Sequence, residues 1–503
     1  MDRLNLNEYL SALAMAGLLM NAQAVSQEML SRPICHLSCD TRDMAPETLF
    51  ICKGAHFRPD YVEDAAGKGA IAYISETDYG APIPAILVSD VRAAMALLAR
   101  IFYADPASML TTVGVTGTKG KSTTVYYLKA ILDRYLKKEC AVLSSIDNYD
   151  GVIREESHLT TPEPIMLHRH FRNALDSNIS HLVMEVSSQG LMLNRTAGVT
   201  FDVGIFLNIS IDHISPWEHS SMEHYTHCKS LLFRQCKLGI MNVDDEHLDD
   251  ILKGHTCEVE TFGFSRNADT TVDTMETITA PGYMGVHFTT SGRHPVSVTV
   301  GAPGKFTVYD SLAAICAVKH FGISSDVFNA ALRRVAIRGR VETINIPAPY
   351  SVIIDFAHDG IGIASLVAGL KQYQPNHIIA VFGSDGNRTK VRRAAAGEIL
   401  GNEADLTVLT SNSPRFEPLE EINADIQVGL DRTNGKYVII PDRRAAIKHA
   451  MAVAEKGDMI LLIGKGHWDY EDIMGVKYPF DERIVVKELF EELRRERGVA
   501  VMD

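Results

Sequence analysis

The sequence predicts an α/β protein of three domains. From about residue 109, short apolar runs alternate with longer helical patterns, which is typical of a parallel sheet with crossover helices. A second series of this kind begins near residue 350, and 503 residues predict two to four domains at about 100 to 200 residues each. We expect an N-terminal α/β domain over 1–108, a central domain with a mainly parallel sheet over 109–335, and a C-terminal Rossmann-like domain over 336–503.

Composition and charge exclude several classes of protein. With 49 Lys and Arg against 63 Asp and Glu, the net charge is −14, so a globally cationic surface for nucleic acid or anionic lipid is excluded. The eight cysteines are scattered without a C-x-x-C pair, which favours a reducing cytosol. No run approaches the ~18 apolar residues of a membrane span. We expect a cytoplasmic protein without membrane insertion, whose apolar stretch at 12–20 belongs to an amphipathic first helix.

Apolar runs predict the strands of both sheets. In the central domain they cover 109–115, 182–186 and 203–207, and in the C-terminal domain 352–355, 378–382, 406–409, 437–440 and 459–463. Glycine or polar residues follow the three central runs. Because ligands bind beyond the carboxyl ends of parallel strands, we expect these three ends to line one crevice.

A glycine-rich loop carries the strongest chemical signal. Residues 114–122 read G-V-T-G-T-K-G-K-S, after a predicted strand and at the start of a predicted helix. The backbone N–H groups would face an anion, Lys121 would contact the β- and γ-phosphates, and the Ser122 hydroxyl would bind Mg²⁺. The strict G-x-x-x-x-G-K-[ST] pattern is not met, because Val115 holds the first glycine position. The loop predicts nucleotide triphosphate binding and leaves kinase, GTPase and ligase open. The apolar face of the following helix is predicted to contain Val125, Leu128, Ile131 or Leu132, and Tyr135.

Further short motifs occur in order along the whole chain. They are C-D-T-R at 39–42, T-T-P at 160–162, E-V-S-S at 185–188, N-I-S-I-D-H at 208–213, G-R-V-E at 339–342, D-F-A-H at 355–358, P-R at 414–415, G-K-G-H at 464–467 and Y-P-F-D-E-R at 478–483. Together with the T-G-T-K-G-K-S loop, this set resembles the Mur ligase family. Its members are ATP-dependent enzymes that add amino acids to peptidoglycan precursors, so the resemblance implies a UDP-binding N-terminal domain and a central P-loop-type ATPase domain.

The resemblance implies a magnesium site beside the phosphate loop. Glu185 and His213 follow adjacent strands, and a carboxylate with an imidazole is a reasonable partial ligand set for Mg²⁺. Lys229 matches the family's N-carbamylated lysine, in which a group derived from CO₂ turns a cation into a carboxylate-like ligand; taken alone, a helical lysine would be solvated. The implied metal ligands are Ser122, Glu185, His213 and Lys229. The implied catalytic residues are Lys121, Glu185, His213 and Lys229.

The resemblance also assigns the contacts of the substrates, although these residue types serve equally as helix caps and surface ion pairs. The implied ATP contacts are Gly117, Thr118, Lys119, Gly120, Lys121, Ser122, Thr123, Arg340, Asp355 and His358. The implied contacts of the UDP-sugar peptide are Thr41, Thr160, Thr161, Ser187 and Arg195. The implied contacts of the amino acid are Arg415, Gly464 and Trp468.

Several positions depart from the family pattern, chiefly where the amino acid is recognised. Asn412 and Ser413 alter the D-N-P-R motif that marks diaminopimelate enzymes, and Trp468 replaces a glutamate. Arg415 survives, and a guanidinium matches a carboxylate bidentately. In the phosphate loop Lys119 replaces asparagine and adds a second cation.

The resemblance implies a monomeric ligase that requires ATP and Mg²⁺. It would join an amino acid, meso-2,6-diaminopimelate above all, to UDP-N-acetylmuramoyl-L-alanyl-D-glutamate through an acyl phosphate. One alternative is a same-family ligase for L-lysine or another amino acid, outside the main cell-wall route. A second is a non-catalytic nucleotide-binding relative. A folate polyglutamylating ligase would share the loop but not need the N-terminal UDP-binding segment.

Overall fold

The protein divides into two compact units. A computed structural model describes residues 3–54, 57–211, 214–215, 218–280, 283–387 and 390–499. The first unit contains residues 1–269 and 313–322, and the second contains 270–312 and 323–503. Both mix helices with mainly parallel sheets, which confirms the α/β class. His213 lies outside the described residues. Among those described, no helix combines the length and the apolar character needed to cross a membrane.

The N-terminal part of the first unit is built on a sheet in the order β1-β5-β4-β3-β2, parallel except for β1. Its amphipathic first helix begins with a capping box between Asn5 and Glu8 and ends at Met15, so the predicted stretch 12–20 extends beyond it. The elements are α1 Leu6–Met15, β1 Leu19–Asn21, α2 Gln27–Leu30, β2 His36–Ser38, β3 Thr48–Ile51, α3 Asp60–Gly67, β4 Ala70–Ser75, β5 Ala85–Val88 and α4 Val91–Phe102.

The central sheet of the first unit has the order β13-β12-β11-β6-β10-β7-β8-β9, parallel from β13 to β7. Because β6 lies between β10 and β11, the carboxyl ends of the three predicted strands meet at one edge, as expected. The elements are β6 Thr111–Thr116, α5 Lys121–Leu136, β7 Ala141–Leu143, β8 Asp147–Tyr149, β9 Arg154–Glu156, α6 Pro164–Asp176, β10 His181–Glu185, α7 Ser188–Met192, β11 Phe201–Phe206, α8 Met222–Ser230, β12 Cys236–Asn242, α9 Leu248–Ile251 and β13 Glu258–Gly263.

Helix α5 buries the predicted apolar face against this sheet. Val125, Leu128, Ile131 and Leu132 are all inaccessible to solvent. Tyr135 is the exception, since it is 44% exposed. It lies in the last turn of the helix, where a ring with a polar hydroxyl group remains partly in water.

The second unit contains an antiparallel ladder, β14-β15-β16, and a sheet in the order β17-β18-β22-β19-β20-β21 that is parallel from β18 to β21. All five strands predicted for the C-terminal domain are present in the latter sheet. The elements are β14 Thr270–Ala280, β15 Tyr283–Gly292, β16 Ser297–Val300, α10 Lys305–Lys319, α11 Ser325–Leu332, β17 Glu342–Thr343, β18 Ser351–Asp355, α12 Gly360–Lys371, β19 Ile378–Phe382, α13 Lys390–Glu403, β20 Leu406–Leu409, α14 Leu419–Leu430, β21 Tyr437–Ile439, α15 Arg443–Val453, β22 Met459–Ile463, β23 Tyr470–Ile473, β24 Val476–Pro479 and α16 Glu482–Val499.

A buried ion pair joins two helices of the second unit. Arg443 begins α15 and Glu482 begins α16, and both side chains are inaccessible to solvent. The guanidinium donates to Glu482 Oε1 at 2.8 Å, to the Ser411 carbonyl at 2.8 Å and to the Ile463 carbonyl at 3.3 Å. The pair therefore connects both helices to the ends of β20 and β22.

Glu482→Gln is expected to destabilise the second unit by about 3–5 kcal/mol, because it leaves the Arg443 charge buried without its counter-ion. The measurement is denaturant unfolding followed by Trp468 fluorescence in a Trp217→Phe background. The matched control is Glu488→Gln on the same helix, whose partner Arg444 is 40% exposed, and which should cost less than about 1 kcal/mol. Equal effects of the two substitutions would contradict a special role for the buried pair.

Candidate functional site

The glycine-rich loop between β6 and α5 is held against the end of the neighbouring strand β11. Asn208 makes three contacts with it: its carbonyl accepts from Thr118 N at 2.9 Å, its Oδ1 accepts from Lys119 N at 2.9 Å, and its Nδ2 donates to the Lys119 carbonyl at 3.1 Å. Gly120, the residue before the helix, has φ +86°, a left-handed conformation that favours glycine. The loop thus has a defined shape at the positive end of α5.

Two lysine side chains converge on the carbonyl of Gly117. Lys121 Nζ donates to it at 2.9 Å and to the Thr118 carbonyl at 3.0 Å. Lys229 Nζ donates to it at 2.7 Å. The loop therefore has two lysine side chains close together at its first carbonyl group.

Lys229 is buried, in contrast to the usual solvated lysine of a helix. It lies on α8 and is 1% exposed, with Nζ 4.5 Å from the centre of the Tyr225 ring. The Tyr225 hydroxyl group in turn bonds to Thr118 Oγ1 at 3.0 Å. Helix α8 is thus joined to the phosphate loop at two points, through Tyr225 and Lys229.

A chain of hydrogen bonds links two of the predicted metal ligands. Ser122 Oγ lies 3.0 Å from Ser145 Oγ. Ser145 donates to Glu185 Oε1 from its backbone N at 2.7 Å and from its hydroxyl group at 3.0 Å. Glu185 is 1% exposed at the end of β10. The described ligands are therefore hard oxygen atoms on adjacent elements, and this donor set fits Mg²⁺.

Thr161 connects the end of β10 to the predicted substrate-binding residues. Its hydroxyl group donates to the Glu185 carbonyl at 3.0 Å and accepts from Ser187 N at 2.9 Å, while its carbonyl accepts from Arg195 at 3.0 Å. Ser187 also caps α7. Thr160, the preceding residue, is half-buried. Three of the predicted contacts of the UDP-sugar peptide, Thr161, Ser187 and Arg195, thus form one hydrogen-bonded group.

Two ion pairs connect this hydrogen-bonded group to the N-terminal sheet. Glu163 lies 3.0 Å from Arg195 and 3.0 Å from Lys53, a residue that follows β3. Burial lowers the pKa of Arg195. Thr41 lies farther along the N-terminal part, where its carbonyl accepts from Lys68 at 3.0 Å. The ion pairs Lys53–Glu163 and Glu163–Arg195 therefore join the N-terminal part of the first unit to the central sheet.

In the second unit, the predicted nucleotide contacts cluster at the end of β18. The Asp355 carboxylate accepts from Val341 N at 2.8 Å and from Ala357 N at 2.7 Å. Arg340 lies 4.7 Å from the centre of the Phe356 ring, and His358 Nδ1 bonds to the Phe356 carbonyl at 2.9 Å. Arg340, Asp355 and His358 are thus ordered around one turn.

Gly339 explains part of the G-R-V-E motif. Its φ is +67°, and a Cβ at this position would lie 2.0 Å from His467 N. Any side chain would collide with the backbone of the G-K-G-H segment. The glycine therefore allows the turn carrying Arg340 to approach that segment.

The predicted amino-acid contacts surround an acidic side chain. Asp385 follows β19, accepts from Asn412 Nδ2 at 3.0 Å and lies 3.6 Å from the Arg415 guanidinium. Arg415 has φ +53° and its backbone pairs with β23. A Cβ on Gly464 would lie 3.5 Å from Asn412 Nδ2 and 2.7 Å from the Gly383 carbonyl. Arg415, Asn412, Gly464 and Asp385 therefore form one cluster.

Trp468 belongs to an aromatic group next in sequence to this cluster. Its ring centre lies 5.5 Å from that of Phe356 and 5.9 Å from that of Tyr470, on which it stacks. His467 adjoins it at 6.0 Å, and burial lowers the His467 pKa to about 3, so this imidazole is neutral at pH 7. The indole is consequently held by packing.

Ser145, Lys53 and Asp385 are the residues that sequence reasoning missed. Ser145 could have been predicted from the sequence, because it follows an apolar run that forms β7, the strand beside β10. Asp385 likewise follows a predicted strand, β19. The sequence gives no indication of Lys53, because its partner Glu163 is more than a hundred residues away along the chain.

Comparisons with known proteins agree with the motifs. Residues 115–318 match the Mur ligase middle domain, and residues 339–466 match the Mur ligase glutamate ligase domain. A solved structure of a UDP-N-acetylmuramoyl-L-alanyl-D-glutamate--2,6-diaminopimelate ligase superposes with a TM-score of 0.68 and 26% identity, covering 95% of this chain and 99% of that one.

Two curated relatives are more similar in sequence. A ligase of the same name from Caldanaerobacter subterraneus subsp. tengcongensis is 37% identical, over 93% of this chain and 98% of its own length. A UDP-N-acetylmuramyl-tripeptide synthetase from Lactobacillus delbrueckii subsp. bulgaricus is 35% identical, over 91% of this chain and 94% of its own length. These matches span both units of the structure and include the phosphate loop. The chain belongs to the Mur ligase family of ATP-dependent ligases.

Proposed function

We propose that the protein joins a diamino acid, meso-2,6-diaminopimelate, to UDP-N-acetylmuramoyl-L-alanyl-D-glutamate with hydrolysis of ATP, in peptidoglycan synthesis. The convergence of Lys121 and Lys229 on the loop carbonyl, beside the Ser122–Ser145–Glu185 chain, carries the proposal. Transfer of a phosphoryl group to a carboxylate brings several negative charges together, which Lys121 and a Mg²⁺ ion held by the other groups would neutralise. The curated relative from Caldanaerobacter subterraneus is named for both of these substrates, which supports their choice.

The reaction proceeds in two steps. A carboxylate oxygen of the substrate's D-glutamyl residue attacks the γ-phosphorus of ATP, and ADP leaves to give an acyl phosphate. The amine of the incoming amino acid then attacks the acyl carbon, the bond to the phosphate oxygen breaks, and inorganic phosphate and a proton are released. The N–H groups at the start of α5 and Lys121 stabilise the charge that develops at the transferred group.

The described residues fit a Mg²⁺ site, held by Ser122, Glu185 and Lys229 together with His213. The ion supplies charge neutralisation at the β- and γ-phosphates. Ser145 keeps the Glu185 carboxylate oriented by donating two hydrogen bonds to one of its oxygen atoms, so we assign it a positioning role.

Lys229 becomes a ligand only after modification, because an ammonium donates hydrogen bonds and has no lone pair for a metal. Its neutral amine attacks CO₂, a C–N bond forms, and one proton is lost, which leaves a carbamate anion. The carbamate keeps one N–H on Nζ, so the contact with the Gly117 carbonyl can persist while the two new oxygen atoms act as acceptors. The burial of Lys229 protects such a carbamate from water.

The remaining predicted residues are proposed to hold the substrates. Thr41, Thr160, Thr161, Ser187 and Arg195 hold the UDP-sugar peptide, and the Lys53–Glu163 pair keeps Arg195 in place. Gly117, Thr118, Lys119, Gly120 and Thr123 surround the phosphates. Arg340, Asp355 and His358 are further proposed contacts of the nucleotide. The domain bounds of 1–108, 109–335 and 336–503, a cytoplasmic location and a monomeric state stay predictions.

Trp468 replaces a glutamate of the family pattern, and Asp385 supplies a carboxylate in its place. The far end of meso-diaminopimelate carries both a carboxylate and an ammonium. Arg415 is the partner for the first and Asp385 for the second, and the two side chains already lie 3.6 Å apart. L-Lysine, the alternative within the family, has only the ammonium and would leave Arg415 with Asp385 alone. The cluster therefore favours diaminopimelate.

The direct test is phosphate release from ATP with the UDP-muramoyl dipeptide, Mg²⁺ and a panel of amino acids. Turnover that requires both the dipeptide and diaminopimelate is expected. Turnover with folate and glutamate, or none with any amino acid, would contradict the proposal.

Lys121→Ala is expected to lower kcat by about 10² to 10³, equivalent to about 3–4 kcal/mol, because the mutant loses a charge at the transferred phosphoryl group. Phosphate release and circular dichroism measure turnover and folding together. Lys119→Asn, which restores the usual family residue two positions away, is the matched control and should retain turnover. Undiminished activity in Lys121→Ala would exclude this loop as the phosphate site.

Lys229→Ala is expected to be inactive and to regain part of its activity with formate or acetate, since a small carboxylate can occupy the position of the carbamate. Wild-type activity should fall in CO₂-free buffer, and the intact protein should gain 44 mass units in bicarbonate, the mass of CO₂. Lys237→Ala removes an exposed lysine paired with Asp202 and should change nothing. Full activity without CO₂, with no added mass, would contradict carbamylation.

Arg415→Ala is expected to reduce the preference for diaminopimelate over lysine in kcat/KM, with a loss of about 2–5 kcal/mol for a charge pair that the bound amino acid would bury. Asp385→Asn should instead impair both substrates, because each has the distal ammonium. Arg432→Ala, at an exposed pair with Glu398, is the control. A wild-type preference for lysine, or unchanged discrimination in Arg415→Ala, would show the assignment to be wrong.

A further inference from the structure

A cluster of nitrogen and sulfur side chains lies at the start of helix α8. It consists of His219, His224 and Cys228, and one potential ligand atom from each lies within 4.8 Å of the others. His219 is 1% exposed and Cys228 is 2% exposed, while His224 is half-buried and leads to the surface. None of the three takes part in the chemistry proposed above.

The backbone brings these side chains together. His224 and Cys228 are four residues apart on α8, so they lie one above the other on the same face of the helix. Ser221 caps this helix by accepting from His224 N at 3.2 Å. His219 comes from the preceding segment, and its ring centre lies 5.2 Å from that of His224.

A serine orients the His219 ring. Nε2 of His219 lies 2.9 Å from Ser188 Oγ, at the start of α7. Histidines that bind metals usually form such a bond with one ring nitrogen, which fixes the ring for coordination through the other. With Nε2–H donating to Ser188, the ligand atom of His219 is Nδ1.

We propose that His219, His224 and Cys228 bind one borderline divalent cation of the Zn²⁺ class. Two imidazoles and a thiolate are ligands for Zn²⁺, whereas Mg²⁺ takes oxygen atoms. Water supplies the fourth tetrahedral position. The Cys228 thiol releases its proton to solvent when the ion binds. Its ligand atoms are none of those of the Ser122–Glu185 site, and its existence does not depend on the proposed reaction.

The ion joins the segment before α8 to the helix that carries Lys229, the residue after Cys228. Binding of a ligand to the folded state stabilises that state. Zn²⁺ should therefore raise the melting temperature of the full chain in a medium already saturated with Mg²⁺. This readout is independent of ligase activity.

Co²⁺ substitution tests the site directly. The full-length protein, titrated with Co²⁺ in saturating Mg²⁺, is expected to show d–d bands of tetrahedral coordination and a thiolate-to-metal charge-transfer band at one ion per chain. Added Zn²⁺ should abolish both. Absence of the charge-transfer band, or a spectrum of octahedral Co²⁺ alone, would overturn the proposal.

Two variants assign the ligands. Cys228→Ser should lose the charge-transfer band, and His224→Gln should weaken Co²⁺ binding by at least tenfold. The matched control is His227→Gln, an exposed histidine of the same helix, which should bind like wild type. Circular dichroism establishes that each variant is folded. A charge-transfer band that survives in folded Cys228→Ser, or equal binding by the His224 and His227 variants, would refute this ligand set.

Discussion

The contact between Lys229 and the carbonyl of Gly117 is the interaction on which the rest of the site depends. It joins a buried amino group of α8 to the first residue of the phosphate loop, at 2.7 Å. Tyr225 adds a second connection to the same loop through Thr118. Because Asn208 holds the other side of the loop, contacts from two elements fix the phosphate site. Preorganisation of this kind lets charged groups stabilise a transition state without reorganising.

From the phosphate loop, hydrogen bonds and an ion pair extend across the first unit to Glu163. Ser122 leads through Ser145 to Glu185, and the Glu185 carbonyl leads to Thr161. Thr161 in turn holds Ser187 and Arg195, whose guanidinium reaches Glu163. Buried polar groups are costly unless they are hydrogen-bonded, so a substitution in this series also affects its neighbours. The residues proposed to hold the metal, ATP and the sugar peptide therefore belong to one network of contacts.

In the second unit, Trp468 replaces an acid of the family pattern, and Asp385 provides a carboxylate from another loop. The acid missing at position 468 would have paired with a substrate ammonium, and Trp468 packs against Phe356 and Tyr470 instead. Asp385, which follows β19, places a carboxylate beside Arg415. The charge that the site needs is thus present, although it comes from a different loop. On the proposed assignment, the Arg415–Asp385 pair rather than the aromatic group would decide the substrate preference.

Local sequence was sufficient for the elements and for the phosphate loop. Apolar runs located β6, β10, β11 and the strands of the C-terminal sheet, because burial between helices requires continuous hydrophobic residues. The loop was recognisable because glycines, lysine and serine occur together at fixed spacing. The sequence did not predict where α1 ends or that Tyr135 is exposed, because both depend on where the neighbouring elements stop.

What the sequence by itself determined is therefore the α/β class, the order of the strands along the chain, the phosphate loop and the family. Only the tertiary structure decided that Lys229 is buried on Gly117, that Ser145 bridges Ser122 and Glu185, and that Asp385 faces Arg415. It also decided that His219, from the segment before α8, lies beside His224 and Cys228 of that helix. The physical reason is that each of these contacts joins side chains from different turns or elements. Their distances depend on how strands pair and helices pack, which residue spacing along the chain does not specify.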